Sequence, residues 1–502
     1  MNNARTMMLW KISIGVVLFF IAGLFLDMEP FKTLTYASAL GILIYDVIIA
    51  LIRSAASKNR SGMELVNGGL LSVISALGLL AIGKASGAVG VMLFFQIIKL
   101  LFEITEEKIA KTTEPLTKLM SNHANLKQDD EFASVPPENV KIGDIIVVRS
   151  GERVPLDGIV ETGEGFMDTR VFTSEGAPRE IHPGSEILSG SINTGSPLYI
   201  RVTRLCGDGT AAQITKLISN APLSRSVSEI KLQKFVGIYT AAAVIAACAS
   251  ALILPIFAND SGIMHSLYYS FIFLAVISPR CISKTAPAVF AAAVGRLAKN
   301  GILIRGAEYI EAIAKAKNVL FGKASLVNES EYPDSIVAVS GFAARSIKTT
   351  LITEDNKDAA QKLADHLGID EIHSELNEKS KANTLSLEAQ KGSCIYVGGA
   401  DEATLYRTAD VGIALGEQHT ADALASAGAV LMTNEPSKLL KLYDTSKKAY
   451  RIFKFNILIA FAAKLAVLAF AVFADIEIWP AVMLDSLISI FTMGNTLRIL
   501  KK

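Results

Sequence analysis

The chain has 502 residues, 51% of them hydrophobic, and 49 Lys and Arg against 48 Asp and Glu, for a net charge of +1. A mean hydropathy of +0.40 excludes an ordinary soluble protein, and the charged stretches exclude one made of membrane spans alone, so spans mixed with soluble domains are expected. The near-zero charge identifies no partner and gives no sign of a nucleic acid.

Crossing a bilayer takes about 20 apolar residues. Eight segments reach that length: 9–27, 36–53, 66–83, 86–103, 233–256, 267–290, 453–473 and 477–497. Two long polar insertions separate them. The predicted organisation is four spans over 1–103, a soluble domain over 104–232, two spans within 233–297, a second soluble domain over 298–452, and two spans over 453–502. Arg5, Lys11, Arg53, Lys58, Arg60, Arg498, Lys501 and Lys502 lie on one side, and the loop at 257–265 has no Lys or Arg. Basic excess marks the cytoplasmic side, which predicts both termini and both insertions in the cytosol of a protein integral to the cell membrane. Leu24-Phe-Leu-Asp27 is not followed by a small-residue cleavage site, so the first span reads as an uncleaved anchor. Cys206, Cys248, Cys281 and Cys394 show no paired spacing and read as free thiols.

In the first insertion, Ile145-Ile-Val-Val148, Gly158-Ile-Val160 and Leu198-Tyr-Ile-Arg-Val202 are short strands punctuated by Gly, Pro and Asp. Helical stretches over Phe102–His123 and Ala211–Leu232 flank them. The motifs Gly143-Asp144, Val154-Pro-Leu-Asp-Gly158 and Ser189-Gly-Ser-Ile-Asn193 resemble the actuator domain of P-type ATPases. That family's catalytic loop reads Thr-Gly-Glu-Ser, and its Glu positions the water that hydrolyses the phosphoenzyme. Here the loop is Thr173-Ser174-Glu175-Gly176: the resemblance keeps Glu175 but puts Ser174 where the glycine belongs. Without a phosphoenzyme to attack, Glu175 reads as a solvated loop carboxylate.

The sixth span runs through Ser278-Pro279-Arg280-Cys281. In heavy-metal P-type ATPases the matching element is Cys-Pro-Cys, whose thiolates hold soft metal ions. The resemblance keeps Pro279, which breaks the helix, but loses both thiolates and puts the Arg280 guanidinium in one of their places. Cys281 lies one position along. Beyond it, Gly301-Ile-Leu-Ile-Arg-Gly306 and Asn318-Val-Leu-Phe-Gly-Lys-Ala-Ser-Leu-Val327 match the family's approach to Asp-Lys-Thr-Gly-Thr. The family's Asp accepts the phosphoryl group of ATP. This chain has Gly322-Lys323 there, and a glycine cannot form an aspartyl-phosphate.

The second insertion alternates apolar runs (Ile336–Val339, Thr349–Thr353, Cys394–Val397, Val411–Ala414, Ala429–Met432) with helical stretches at Asn356–Leu367 and Thr420–Ala427. Alternation of this kind predicts a parallel, doubly wound sheet. It resembles the haloacid-dehalogenase-like phosphorylation domain of the same family. Carried over residue by residue, Thr353-Glu354-Asp355-Asn356 keeps the Asp of Thr-Gly-Asp-Asn as Asp355, and Lys381 matches the phosphoryl-contacting lysine. The Mg²⁺-binding Gly-Asp-Gly-x-Asn-Asp is reduced to Gly398-Gly399-Ala400-Asp401-Glu402, where Asp401 and Glu402 read as loop acids or weak cation contacts. About 30 residues separate Gly322 from Thr353, too few for the nucleotide-binding domain that the family inserts there. Ala409-Asp-Val-Gly-Ile-Ala-Leu-Gly416 extends the match.

In the last two spans, Asn456 and Lys464 are eight residues apart and Asp485 precedes Asn495 by ten, as in the zinc/cadmium/lead branch of the family. Mid-membrane charges pair and face the bundle interior. Asp485 is therefore either a counter-ion holding the bundle together or part of a residual ion pathway, and the cations around it disfavour Zn²⁺.

The expected architecture is an eight-span helical bundle with a small β actuator-like domain and a haloacid-dehalogenase-like α/β domain. The function implied is that of a degenerate, non-enzymatic P-type ATPase homologue that binds, senses or regulates beside a metal-transporting ATPase or another membrane protein. No cofactor is expected; Mg²⁺ and ATP enter only through the resemblance. A passive or externally energised cation transporter is the alternative. An active metal pump is the third reading, with Ser325 as the nearest hydroxyl.

Overall fold

A computed structural model of the chain describes residues 3–24, 28–56, 68–114, 119–128, 131–170, 178–220, 224–257, 263–327, 332–399, 402–416, 421–473 and 478–501. It divides into two compact units. One comprises Met1–Lys108, Ser228–Val289 and Ile452–Lys501; the other comprises Ile109–Val227 and Phe290–Arg451.

The first unit is helical. Its helices, some of which run on into the second unit, are Asn3–Leu24, Glu29–Ala56, Gly68–Ala81, Ala85–Ala110, Val227–Phe257, Ile263–Ile277, Arg280–Ala298, Lys438–Phe473 and Ile478–Leu497. Among the described residues, six stretches are long and apolar enough to cross a membrane, with Ile263–Ala298 counted as one. Gly68–Ala81 is apolar but has only 14 residues. Ile478–Leu497 has the length, but Asp485 and Asn495 lower its hydropathy, and it is not among the six. Large side chains such as Leu24, Ile245, Leu252 and Leu458 point outward, while Leu43, Leu79, Ala88 and Met92 are buried together. An apolar exterior over an apolar core suits lipid as the solvent. The helix break falls at Ser278-Pro279, because proline has no N–H and its ring displaces the preceding turn. The helix restarts at Arg280, and Ser283 N donates to Pro279 O at 3.0 Å.

Among the described residues the second unit holds three sheets. A six-stranded sheet has the order β2-β1-β3-β9-β4-β7, and a three-stranded sheet has the order β6-β5-β8. Their strands are β1 (Ala124–Gln128), β2 (Glu131–Val135), β3 (Ile145–Val148), β4 (Gly158–Thr162), β5 (Gly165–Asp168), β6 (Arg179–Ile181), β7 (Glu186–Ile187), β8 (Ile192–Asn193) and β9 (Leu198–Val202). Asp157, from the Val154–Gly158 motif, is buried. It accepts hydrogen bonds from Ser189 N at 2.7 Å, Thr210 N at 2.9 Å and Thr210 Oγ1 at 2.8 Å. A carboxylate accepting from the first turn of a helix holds that end in place, so Asp157 ties the β region to helix Thr210–Asn220. That helix buries Ala211, Ile214 and Ile218 in one core with Leu303, Ala423 and Leu424.

The third sheet has the order β10-β16-β15-β14-β11-β12-β13. Its strands are β10 (Ile302–Ile304), β11 (Asn318–Gly322), β12 (Lys348–Ile352), β13 (Glu371–His373), β14 (Cys394–Gly398), β15 (Val411–Leu415) and β16 (Ala429–Leu431). β11 to β16 pair in parallel and β10 is antiparallel at one edge. From β11 the chain steps outward through β12 and β13, then returns to β14 on the other flank. The switch point of the sheet lies between β11 and β14, where open α/β sheets place their ligands at the carboxyl ends.

Three expected elements differ. The helix expected over Phe102–His123 stops at Ala110, and β1 begins at Ala124. The stretch Ala211–Leu232 is two helices, Thr210–Asn220 and one starting at Val227. Ile336–Val339 lies not in a strand but in helix Pro333–Ala343, which has Pro333 in its first turn. Its buried positions, Ser335, Ala338, Val339 and Phe342, follow helical spacing, and Val337 points out.

Candidate functional site

The first cluster lies at the carboxyl ends of β11, β12 and β14. Gly322 ends β11 and Gly398 ends β14; the parallel register pairs Leu320 with Tyr396 and Phe321 with Val397. Alternate residues share a face, so Gly322 lies on the face of Tyr396, one step further along. The Tyr396 ring is wholly buried and uses the space that a side chain at 322 would need. A Cβ on Gly322 would lie 2.7 Å from Tyr396 Oη and 3.2 Å from Glu402 Oε2. Glu402 is half-buried, not the open loop acid its sequence suggests. It turns back to accept from Gly399 N at 3.0 Å. Tyr406 Oη donates to Gly399 O, also from a buried position. Burial and the Glu402 carboxylate both push the Tyr396 phenol far above its ordinary range, so it stays protonated.

The cations near this crevice are already paired. Lys323 Nζ lies 2.8 Å from Asp355 Oδ2 and 2.9 Å from Oδ1. The Lys323 hydrogen bond is the main cause holding the Asp355 carboxyl below its usual range. Lys381, mostly buried, donates to Glu354 Oε1 at 3.0 Å. Ser325 is buried, and its Oγ lies 2.7 Å from Gly322 O and 3.2 Å from Val397 O, so its proton is directed at main-chain carbonyls. Gly322, Lys323, Asp355 and Lys381 thus come together as the sequence suggested. Glu175 and Asp401 lie outside the described residues. Tyr396 was read only as a strand residue, and nothing in Cys394-Ile-Tyr-Val397 signals that its hydroxyl reaches the crevice.

The second cluster is in the helical unit. Lys464 is wholly buried, bonds Asp485, and donates to Val276 O at 2.6 Å. That carbonyl lies just before the Ser278-Pro279 break. Cys281 Sγ lies 3.1 Å from Thr492 Oγ1. Arg280 lies with its Cζ 3.4 Å from the centre of the Phe95 ring and donates from Nη2 to Ser72 Oγ at 3.0 Å. Asn456 donates to Thr492 O at 3.1 Å and accepts from Asn495 Nδ2 at 2.7 Å, which knits Lys438–Phe473 to Ile478–Leu497. A further charged group was not anticipated. Asp46 takes Lys99 at 3.1 Å, Lys11 at 3.6 Å and Gln96 Nε2 at 3.2 Å. An ionisable residue inside each of the first, second and fourth predicted spans was the available signal.

Comparisons with known proteins show what the chain is similar to. The P-type ATPase actuator domain profile matches residues 118–219. A zinc-transporting ATPase of Synechocystis sp. is 25% identical over 90% of this chain and 79% of its own length. A cadmium, zinc and cobalt-transporting ATPase of Bacillus subtilis is 25% identical over 89% of this chain and 80% of its own. Over most of its length the chain is similar to heavy-metal P-type ATPases. The Synechocystis alignment spans 567 positions, more than the 502 residues here, so that ATPase carries segments this chain lacks. A zinc-transporting PIB-type ATPase solved in its E2.Pi state shares the P-type ATPase-like fold, with a TM-score of 0.54 and 20% identity over 98% of this chain and all of the other.

Likeness to these ATPases raises the question of whether Mg²⁺ and ATP suit the β11/β14 crevice. Among the described residues, position 322 offers no carboxylate, Tyr396 and Glu402 stand where its side chain would go, and Lys323 and Lys381 each pair with a carboxylate. Among the described residues no group of three His, Cys, Asp or Glu side chains comes together.

Proposed function

We propose that this membrane protein is a catalytically silent member of its family: a pseudo-ATPase that binds, senses or regulates in connection with metal-ion transport. The observation that carries this reading is the occupied crevice. Phosphoryl transfer depends almost entirely on positioning and charge stabilisation, and here the nucleophile is a glycine with the Tyr396 ring and the Glu402 carboxylate packed against it. Lys323 and Lys381, the cations suited to a phosphoryl group, are held by Asp355 and Glu354 instead. Ser325 offers no replacement, because its hydroxyl is directed at the main-chain carbonyls of Gly322 and Val397.

In this reading the helical unit makes eight spans, with Gly68–Ala81 and Ile478–Leu497 among them. The termini and both soluble regions lie in the cytosol, and the seven-stranded region is haloacid-dehalogenase-like. The partner is a complete metal-transporting ATPase or another membrane protein. Passive cation transport has weaker support, because Lys464 consumes both Asp485 and the Val276 carbonyl that the proline break releases.

Titration calorimetry of the full chain in detergent, with Mg–ATP and separately with orthovanadate, tests the proposal. No saturable heat is expected for either ligand; micromolar binding of either would overturn it.

A further inference from the structure

The polar centre of the helical unit has one feature that the silent soluble region does not explain. Arg280 opens helix Arg280–Ala298 directly after Pro279, and its side chain turns inward among the helices. Its guanidinium lies over the Phe95 ring, with Cζ 3.4 Å from the ring centre. Nη2 donates to Ser72 Oγ at 3.0 Å, and Nη1 reaches Phe95 O at 3.4 Å. Space for it comes from Gly68, where a Cβ would lie 3.3 Å from both Arg280 Cβ and Nε and would collide with Ser278 Oγ. Nε is buried with no hydrogen-bond partner. The side chain is therefore held by stacking and by its outer nitrogens, in a place shaped to receive it.

The charges beside this break point the same way. Arg280 and Lys464 are buried cations, and the carboxylate of Asp485 is already engaged by Lys464. The Cys281 thiol shares its hydrogen bond with Thr492. A divalent cation would meet two fixed positive charges and a carboxylate already in use.

We infer that Arg280 is a tethered cation that fills the polar centre of the bundle, and that it is the residue that excludes a soft divalent metal ion. This inference concerns the membrane region alone and stands whether or not the soluble region binds ATP. Its chemistry also predicts what reverses it. Soft ions need thiolates and no competing cation, so thiols added beside Pro279 confer binding only once the guanidinium is gone.

The experiment is Cd²⁺ binding to the purified full chain in detergent, followed by thiolate-to-cadmium charge-transfer absorption and by metal content after desalting. Native protein, Ser278→Cys, Ser278→Cys/Arg280→Lys and Ser278→Cys/Arg280→Cys are compared, with Cys206, Cys248 and Cys394 replaced by Ser in all four. The expected result is about one Cd²⁺ per chain for Ser278→Cys/Arg280→Cys and at least tenfold less for the other three, with all four eluting as the same species in gel filtration. Stoichiometric binding by native protein or by Ser278→Cys would overturn the inference, because Arg280 would then be no barrier. Absence of binding by a well-folded Ser278→Cys/Arg280→Cys would overturn it equally. Should that variant fail to elute as native, Ser278→Cys/Arg280→Ser takes its place, with the same expected and contrary results.

Discussion

Gly322 and Tyr396 form a matched pair, and each makes sense only with the other. Restoring the family's carboxylate by Gly322→Asp places an atom 2.7 Å from Tyr396 Oη and an extra negative charge beside Glu402. Overpacking of this kind costs about 1–3 kcal/mol, so the variant should show a lowered apparent melting temperature and no phosphoenzyme. Adding Tyr396→Val should return part of the lost stability; a Gly322→Asp protein as stable as native would show that the crevice is not filled as described. In the helical unit, Asp485→Asn leaves Lys464 buried without its counter-charge. Breaking a buried pair costs about 3–5 kcal/mol, so this variant should be markedly less heat-stable in detergent, with Lys464→Met/Asp485→Leu closer to native. Equal stability of Asp485→Asn and native would remove the counter-ion role. At this scale the glycine at 322 and the Arg280 and Asp485 charges were legible in the sequence. What filled the space was not, because it depends on which strands become neighbours: Tyr396 is 74 positions beyond Gly322 and meets it only through the β11/β14 register.

At the scale of elements, β14 is central in its sheet and Cys394 is wholly buried in it. Burial pushes that thiol up to about 11. At pH 8 about one such thiol in a thousand is ionised, so Cys394 should resist a maleimide that modifies the partly exposed Cys206. Mass spectrometry of labelled peptides checks this, and equal labelling would show that β14 is not buried between its neighbours. Helix Lys357–Leu367 is capped by Asn356, whose side chain accepts from Ala359 N at 2.9 Å. Asn356→Ala should cost about 1 kcal/mol, read as a small drop in apparent melting temperature; no change would mean the cap contributes nothing. Elements with strong local signals were readable: the Pro279 break, the β3 and β9 strands, the helix from Asn356 to Leu367. Ile336–Val339 was misread because a β-branched run of four residues fits a buried strand or a helix equally well. Only the neighbouring Pro333 and the spacing of Ser335, Ala338, Val339 and Phe342 separate the two.

For the whole molecule, the order of apolar and polar stretches carried most of the architecture, because a bilayer imposes length and hydropathy on every segment that crosses it. Two of the eight expected spans fall outside the six qualifying stretches among the described residues: Gly68–Ala81 is short, and Ile478–Leu497 carries Asp485 and Asn495. The fold is P-type ATPase-like, and the proposed loss of phosphoryl chemistry can be tested on the whole protein. Acid-stable phosphorylation of the purified full chain from radiolabelled ATP, in the presence and absence of Zn²⁺ or Cd²⁺, tests it most directly. The account predicts incorporation at background level under every condition, matching a denatured control. Metal-dependent labelling above that background would contradict it and would require a phosphoryl acceptor other than residue 322.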